Sequence, residues 1–179
     1  MMVEEDLWER LRHTDSQTVE AEARAAVETV TLSPSERESI AKLLKTQRAP
    51  WMCDSDPKGE WLDDLRYRTL PLSPKVRVIL AEAGPGCARG AQGSNGAMWL
   101  IRFDGRNPIL LASPQQEFNG FLYSIEPTTF QGYRDVIVGW GIGAGDTVLA
   151  YFRFDGKSYR CIARATLHSD ERGVSIVPR

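Results

Sequence analysis

Apolar positions in this chain recur at two different spacings, and the change between them divides it in two. Over the first 47 residues the spacing is helical. Val3, Leu7, Trp8 and Leu11 form one stripe, Val19, Ala23, Ala26 and Val30 a second, and Ile40, Leu43 and Leu44 a third, each in the three- and four-residue steps of an amphipathic helix. The third helix is the best marked. Ser33-Pro34-Ser35-Glu36 supplies an N-cap hydroxyl, a proline at the first helical position and a glutamate that can close a capping box. Glu20 and Glu22 stand near the start of the second helix, where the helix dipole favours negative charge. Periodicity then breaks over 49–59, where Pro50, Pro57 and Gly59 interrupt it.

From residue 65 onward the spacing becomes that of β-strands, predicted at 65–70, 75–82, 98–103, 108–112, 121–125, 135–140, 147–154, 158–165 and 174–177. Within 147–154, Val148, Ala150, Phe152 and Phe154 face one way, and Leu149, Tyr151 and Arg153 the other. The connections are too short for the crossover helices of a parallel sheet. The pattern therefore predicts an α+β chain, mostly β: a segment of short helices over 1–48, then an antiparallel β meander over 49–179.

The β part repeats itself. Trp99-Leu100-Ile101-Arg102-Phe103-Asp104-Gly105-Arg106 is echoed by Ala150-Tyr151-Phe152-Arg153-Phe154-Asp155-Gly156-Lys157. The echo extends on both sides, giving two units over 75–113 and 134–165. Each reads as strand, glycine-rich loop, strand, Asp-Gly turn, strand. The Asp-Gly pairs predict type I′ hairpin turns, which need positive φ at both central residues. Two such units fit a sandwich or a pair of blade-like sheets, since a closed propeller takes at least about four blades.

Bulk properties narrow the function classes. An apolar share of 42% over 179 residues supports a folded core. A net charge of −2 argues against a nucleic-acid surface. No apolar run approaches the roughly 20 residues of a membrane-spanning helix, so no membrane insertion is expected. The acidic start Met1-Met2-Val3-Glu4-Glu5-Asp6 lacks the features of a signal peptide. As it stands the sequence predicts a cytoplasmic protein, and with an export signal removed a periplasmic or secreted one. The odd set Cys53, Cys87 and Cys161 matches no zinc spacing. Cys53 and Cys87 fall in loop-like stretches and are the candidate disulfide, whereas Cys161 lies in a strand as a core thiol.

Candidate chemistry concentrates in the two glycine-rich loops. The loop 84–96 lacks the Gly-Lys-Ser/Thr ending of a phosphate loop and leads into a strand, not a helix. Its Arg89, Gln92, Ser94 and Asn95 are candidate ligand donors. The equivalent loop Trp140-Gly141-Ile142-Gly143-Ala144-Gly145-Asp146 also sits between strands, which excludes a dinucleotide fingerprint. There Trp140 and Asp146 are the candidate binding residues, because an indole ending a strand before a loop is placed to line a surface. Asp54-Ser55-Asp56 opens like a calcium loop, but Pro57 and Lys58 stand where ligands would follow. His13 and His168 have no nucleophile motif beside them. No catalytic residue, metal or cofactor is assigned.

Gly132-Tyr133-Arg134-Asp135-Val136-Ile137-Val138 with Phe152-Arg153-Phe154-Asp155-Gly156-Lys157-Ser158-Tyr159 resembles the β units of FG-GAP/VCBS-type repeats. It resembles more closely a group of uncharacterised bacterial exported proteins with the same strand and hairpin signature. The resemblance covers 75–179 and implies an extracytoplasmic, non-catalytic β module. The calcium-binding Asp-x-Asp-x-Asp-Gly found in such repeats is missing from both units.

The sequence thus points to a bacterial binding or protein-interaction module, with a protein or glycan partner presented to the glycine loops, which pseudo-symmetry places on one edge. Two alternatives stay open. One is a hydrolase of cell-wall or glycan substrates using Asp54 or Asp56 with a second carboxylate. The other is an inhibitor or immunity protein of a lytic enzyme.

Overall fold

The capping signal at Ser33 operates as read. In the computed structural model, Glu36 N–H donates to Ser33 Oγ (3.3 Å) and Ser33 N–H to Glu36 Oε2 (2.8 Å), closing a capping box with Pro34 in the first turn. The structure describes residues 2–12, 19, 22, 23, 25, 28–48, 59–84, 95–104, 107–143, 145–170 and 173–178. Its helices are α1 (Met2–Arg12) and α2 (Pro34–Leu44). Val19, Glu22, Ala23 and Ala25 are also helical, but the second stripe does not run on to Val30 as its spacing predicts. Glu28–Thr29 is a strand, β1, and Val30 N–H donates to the Tyr67 carbonyl (3.1 Å). Three consecutive β-branched residues, Thr29, Val30 and Thr31, favour extended backbone there.

Among the described residues nine further strands follow: β2 (Arg66–Leu70), β3 (Arg77–Glu82), β4 (Gly96–Phe103), β5 (Pro108–Ala112), β6 (Asn119–Phe130), β7 (Tyr133–Gly143), β8 (Asp146–Phe154), β9 (Tyr159–Asp170) and β10 (Gly173–Pro178). All pairs are antiparallel, in the order β1-β2-β3-β4-β6-β7-β8-β9-β10, with β5 attached to β4. The free edge of β4 is shared: residues 100–103 pair with β5, whereas Gly96 and Ala97 pair with Gly120 and Asn119 of β6. Among the described residues no helix is long and apolar enough to cross a membrane.

Among the described residues three cores follow from strand alternation. Val78, Leu80, Met98 and Leu100 of the first half share one core with Val136, Val138, Ala150, Phe152 and Phe154 of the second. Their neighbours Ile79, Ala81, Trp99 and Ile101 point the other way, under Ile40 and Leu44 of α2. Likewise Ile137, Leu149 and Tyr151 pack beneath Leu7, Trp8 and Leu11 of α1. Each half of the sheet therefore has an inner face on the shared core and an outer face under a helix.

Register shifts let strands change face. Phe152 pairs with Cys161 but Tyr151 with Ala163, which leaves Ile162 as an extra residue. Before it, Tyr159 and Cys161 belong to the shared core; after it, Ala163, Ala165 and Leu167 belong to the core beneath α1. An extra residue in a period-two element inverts everything beyond it. Ile162 itself stays 48% exposed.

The hairpin expected at Asp155-Gly156 forms, with a different turn. Gly156 has φ +101°, but Asp155 lies outside the positive-φ set, so this is not a type I′ pair. Asp155 Oδ1 instead accepts N–H bonds from Lys157 and Ser158, both 2.8 Å. Asp104 Oδ1 accepts in the same way from Asn107 N–H, three residues on, at 3.4 Å. A carboxylate that gathers the following amides stabilises a wider loop with no second residue at positive φ.

Candidate functional site

Where β6 leaves β7 to pair with β4, the edge of β7 would be left open. Asn95 closes it. Its Oδ1 accepts from Gly141 N–H (2.9 Å) and its Nδ2 donates to the Gly141 carbonyl (2.7 Å). The carboxamide acts as one more rung of the ladder, and Asn95 is buried. Two of the sequence candidates, Asn95 and Trp140 beside Gly141, are thereby brought together.

Trp140 is half-buried and lines a cleft of about 370 Å³ with Glu117, Asn119, Val138, Val148, Ala150 and Arg164. The cleft continues the inner face of the second half beyond the shared core. Ladder register places Val138, Ala150 and Arg164 in one row across β7–β9. The next row is Trp140, Val148, Thr166 and, on β10, Val177. Arg164 reaches this face because of the extra residue at Ile162. It pairs with Glu117 from the loop before β6, so the ion pair ties β9 to the segment that leads out of β5. Glu117 holds a left-handed backbone (φ +64°) at the end of the short turn Pro114–Gln116, a conformation unfavourable for a side chain larger than glycine.

Asp146, also a sequence candidate, lies one row beyond, opposite His168 on β9, whose Nδ1 is 2.9 Å from Asp146 Oδ1. The remaining candidates, Arg89, Gln92 and Ser94, lie outside the described residues, as do Cys53, Cys87, Asp54, Asp56 and His13. Cys161 is a free, half-buried thiol, and burial pushes its pKa up. Among the described residues no group of three or more His, Cys, Asp or Glu gathers as a metal site.

Sequence reasoning missed Glu117, Asn119, Val148 and Arg164 as cleft residues. Arg164 carried a signal, as a charge set between Ala163 and Ala165. Glu117 and Asn119 carried none, because only the fold brings their segment to β7.

A second polar centre lies on the outer face. The carboxylate of Asp135, fully buried, accepts from Tyr151 Oη (2.5 Å), Arg153 Nη2 (2.8 Å) and Thr128 Oγ1 (3.0 Å). Burial, and then the neighbouring carboxylate, hold the Tyr151 hydroxyl pKa above its ordinary value. Glu126, also buried, accepts from Ser124 Oγ (2.6 Å) and pairs with Arg10 of α1. A recess of about 260 Å³ separates these groups from α1, lined by Asp6, Leu7 and Arg10 facing Glu126, Pro127, Thr128 and Tyr151. Both carboxylates are engaged by donors on several sides, which is the arrangement expected of a structural polar network.

No protein-family model, no curated protein and no solved structure matches this chain.

Proposed function

We propose that the chain is a non-catalytic binding module whose ligand rests in the Trp140 cleft. The observation that carries this reading is the composition of the cleft. An indole and the small apolar floor of Val138, Val148 and Ala150 are rimmed by Glu117, Asn119 and Arg164, a few convergent polar groups over an apolar base. Glu117 is already engaged by Arg164, which suits a group that orients a ligand better than one that moves protons. The adjacency of Asn95 to Gly141 supports the expectation that the two glycine loops flank one ligand surface. The shared core supports reading the two halves of the sheet as the layers of a sandwich, with the cleft at one end between them.

The test is chemical-shift mapping on the full chain with a mixed library of neutral and charged oligosaccharides and short peptides. Ligand-dependent shifts should concentrate on the Trp140 indole and the Asn119 carboxamide. Shifts confined to other surfaces, or a cleft inert to the whole library, would overturn the reading.

A further inference from the structure

Resting on that reading of the cleft, we infer that its ligand is a neutral oligosaccharide laid along the row Trp140–Val148–Thr166–Val177. Charge decides the first part. Among the described residues the cleft contributes one cationic and one anionic side chain, Arg164 and Glu117, and they pair with each other. A charged ligand would have to displace one of them from its partner and leave the other unpaired, whereas a neutral ligand bonds to the outer lone pairs and N–H groups of the intact pair. Carboxylate, guanidinium and the Asn119 carboxamide are all planar groups with several donors or acceptors in one plane, a geometry that matches adjacent ring hydroxyls.

The floor decides the second part. An indole over small aliphatic side chains offers a flat apolar surface to the C–H face of a sugar ring. The row does not stop at the cleft. Register carries it from Trp140 through Val148 and Thr166, itself buried, to Val177, which is 51% exposed and lies outside the cleft lining. Three inter-strand spacings make this about 14 Å, longer than one ring, so the ligand is a chain. A peptide fits the same floor less well. Extended peptides are held chiefly by main-chain bonds to an open strand edge, and beside the cleft the Gly141 edge groups are already taken by Asn95.

Titration of the full-length protein with cellotetraose, maltotetraose and tetra-N-acetylchitotetraose, against trigalacturonic acid, chitosan tetramer and acetyl-trialanine amide, tests the inference. The readout is the Trp140 indole N–H resonance, assigned with Trp140→Phe. At least one neutral tetramer should shift it, and Trp140→Ala should weaken that binding by about tenfold or more. Val177→Glu, at an exposed position that leaves folding intact, should weaken the tetramer severalfold and spare the matching disaccharide. Binding of the charged oligosaccharides alone, or of the peptide alone, would overturn the ligand class and leave the binding module standing. So would no response to any of the six probes while other library members shift the cleft. A Val177→Glu variant that binds tetramer and disaccharide like the parent would overturn the placement along the row.

Discussion

Asn95 and Gly141, 46 positions apart, form a two-bond pair in which a side-chain amide stands in for a strand. Removing it leaves two partly buried backbone groups without their partner. Asn95→Ala should therefore destabilise the protein by about 1–3 kcal/mol, read as a lower urea midpoint with unchanged denaturant slope. Asn95→Asp keeps the acceptor for Gly141 N–H but sets a carboxylate against the Gly141 carbonyl. Burial and the facing carbonyl raise that carboxyl's pKa above its ordinary value of about 3.9, so the variant's deficit relative to the parent should shrink as pH falls toward about 4 and stay level below it.

Arg153 and Asp135 face each other across β7 and β8, and their exposures differ. The Arg153 side chain is 27% exposed and that of Asp135 is fully buried. Losing the arginine leaves a buried carboxylate with two hydroxyl donors, Tyr151 and Thr128, but no counter-ion, whereas losing the carboxylate leaves an arginine that reaches water and still lies over the Phe130 and Tyr151 rings. Arg153→Met should cost about 3–5 kcal/mol, and Asp135→Asn distinctly less. Paired denaturation curves check the order, and equal losses would mean that burial does not set it.

The Asp155 carboxyl is held down to about 2 from its ordinary 3.8, first by Ser158 N–H, then by Lys157 N–H and Arg160. Because the folded value lies below the unfolded one, the turn's contribution is complete above about pH 4 and is lost as pH falls through about 2. Asp155→Asn retains an acceptor oxygen without the titration. It should flatten stability against pH between 4 and 2, and a carboxyl-carbon titration of the parent should show the low midpoint directly.

Glu117 sits at φ +64°, a backbone that glycine adopts freely. Glu117→Gly removes an ion pair whose side chains are 67% and 43% exposed, and such pairs contribute little. Thermal stability should rise or hold, by up to about 1 kcal/mol, while ligand binding weakens. A stabilised variant that binds as well as the parent would remove Glu117 from the site.

Gly120 tolerates no side chain. A Cβ there would lie 1.9 Å from the Gly139 carbonyl oxygen, at φ +100°. Gly120→Ala should lower the melting temperature sharply, from backbone strain of about 1–3 kcal/mol and from the displacement of β6 from β7.

Much of the scaffold was legible from local chemistry. Strand β5 falls on the expected 108–112, and Ser33-Pro34-Ser35-Glu36 caps α2, because caps and alternation are written in adjacent residues. The residues of the resemblance motif also interlock: Tyr133 packs on Phe154 and Tyr159, and Tyr159 Oη bonds the Arg134 carbonyl. Their pairing is cross-strand and follows once β7–β9 are aligned. What stayed hidden depended on distant segments or on register. β1 is two residues long and gains its identity from β2. The Glu117–Arg164 contact needs both the turn after β5 and the shift at Ile162, neither of which leaves a periodic trace.

That extra residue gives the gene an unusual lever. Cys161 already faces the shared core opposite Phe152, and Ala163 the core beneath α1 opposite Tyr151. Deleting the single codon for Ile162 would therefore join two residues that already alternate, and leave every downstream side chain on its present side. Ile162 is about half exposed to solvent, so the loss of the whole residue should be tolerated there, whereas a one-codon deletion elsewhere in β9 would force the bulge to move or side chains to change sides.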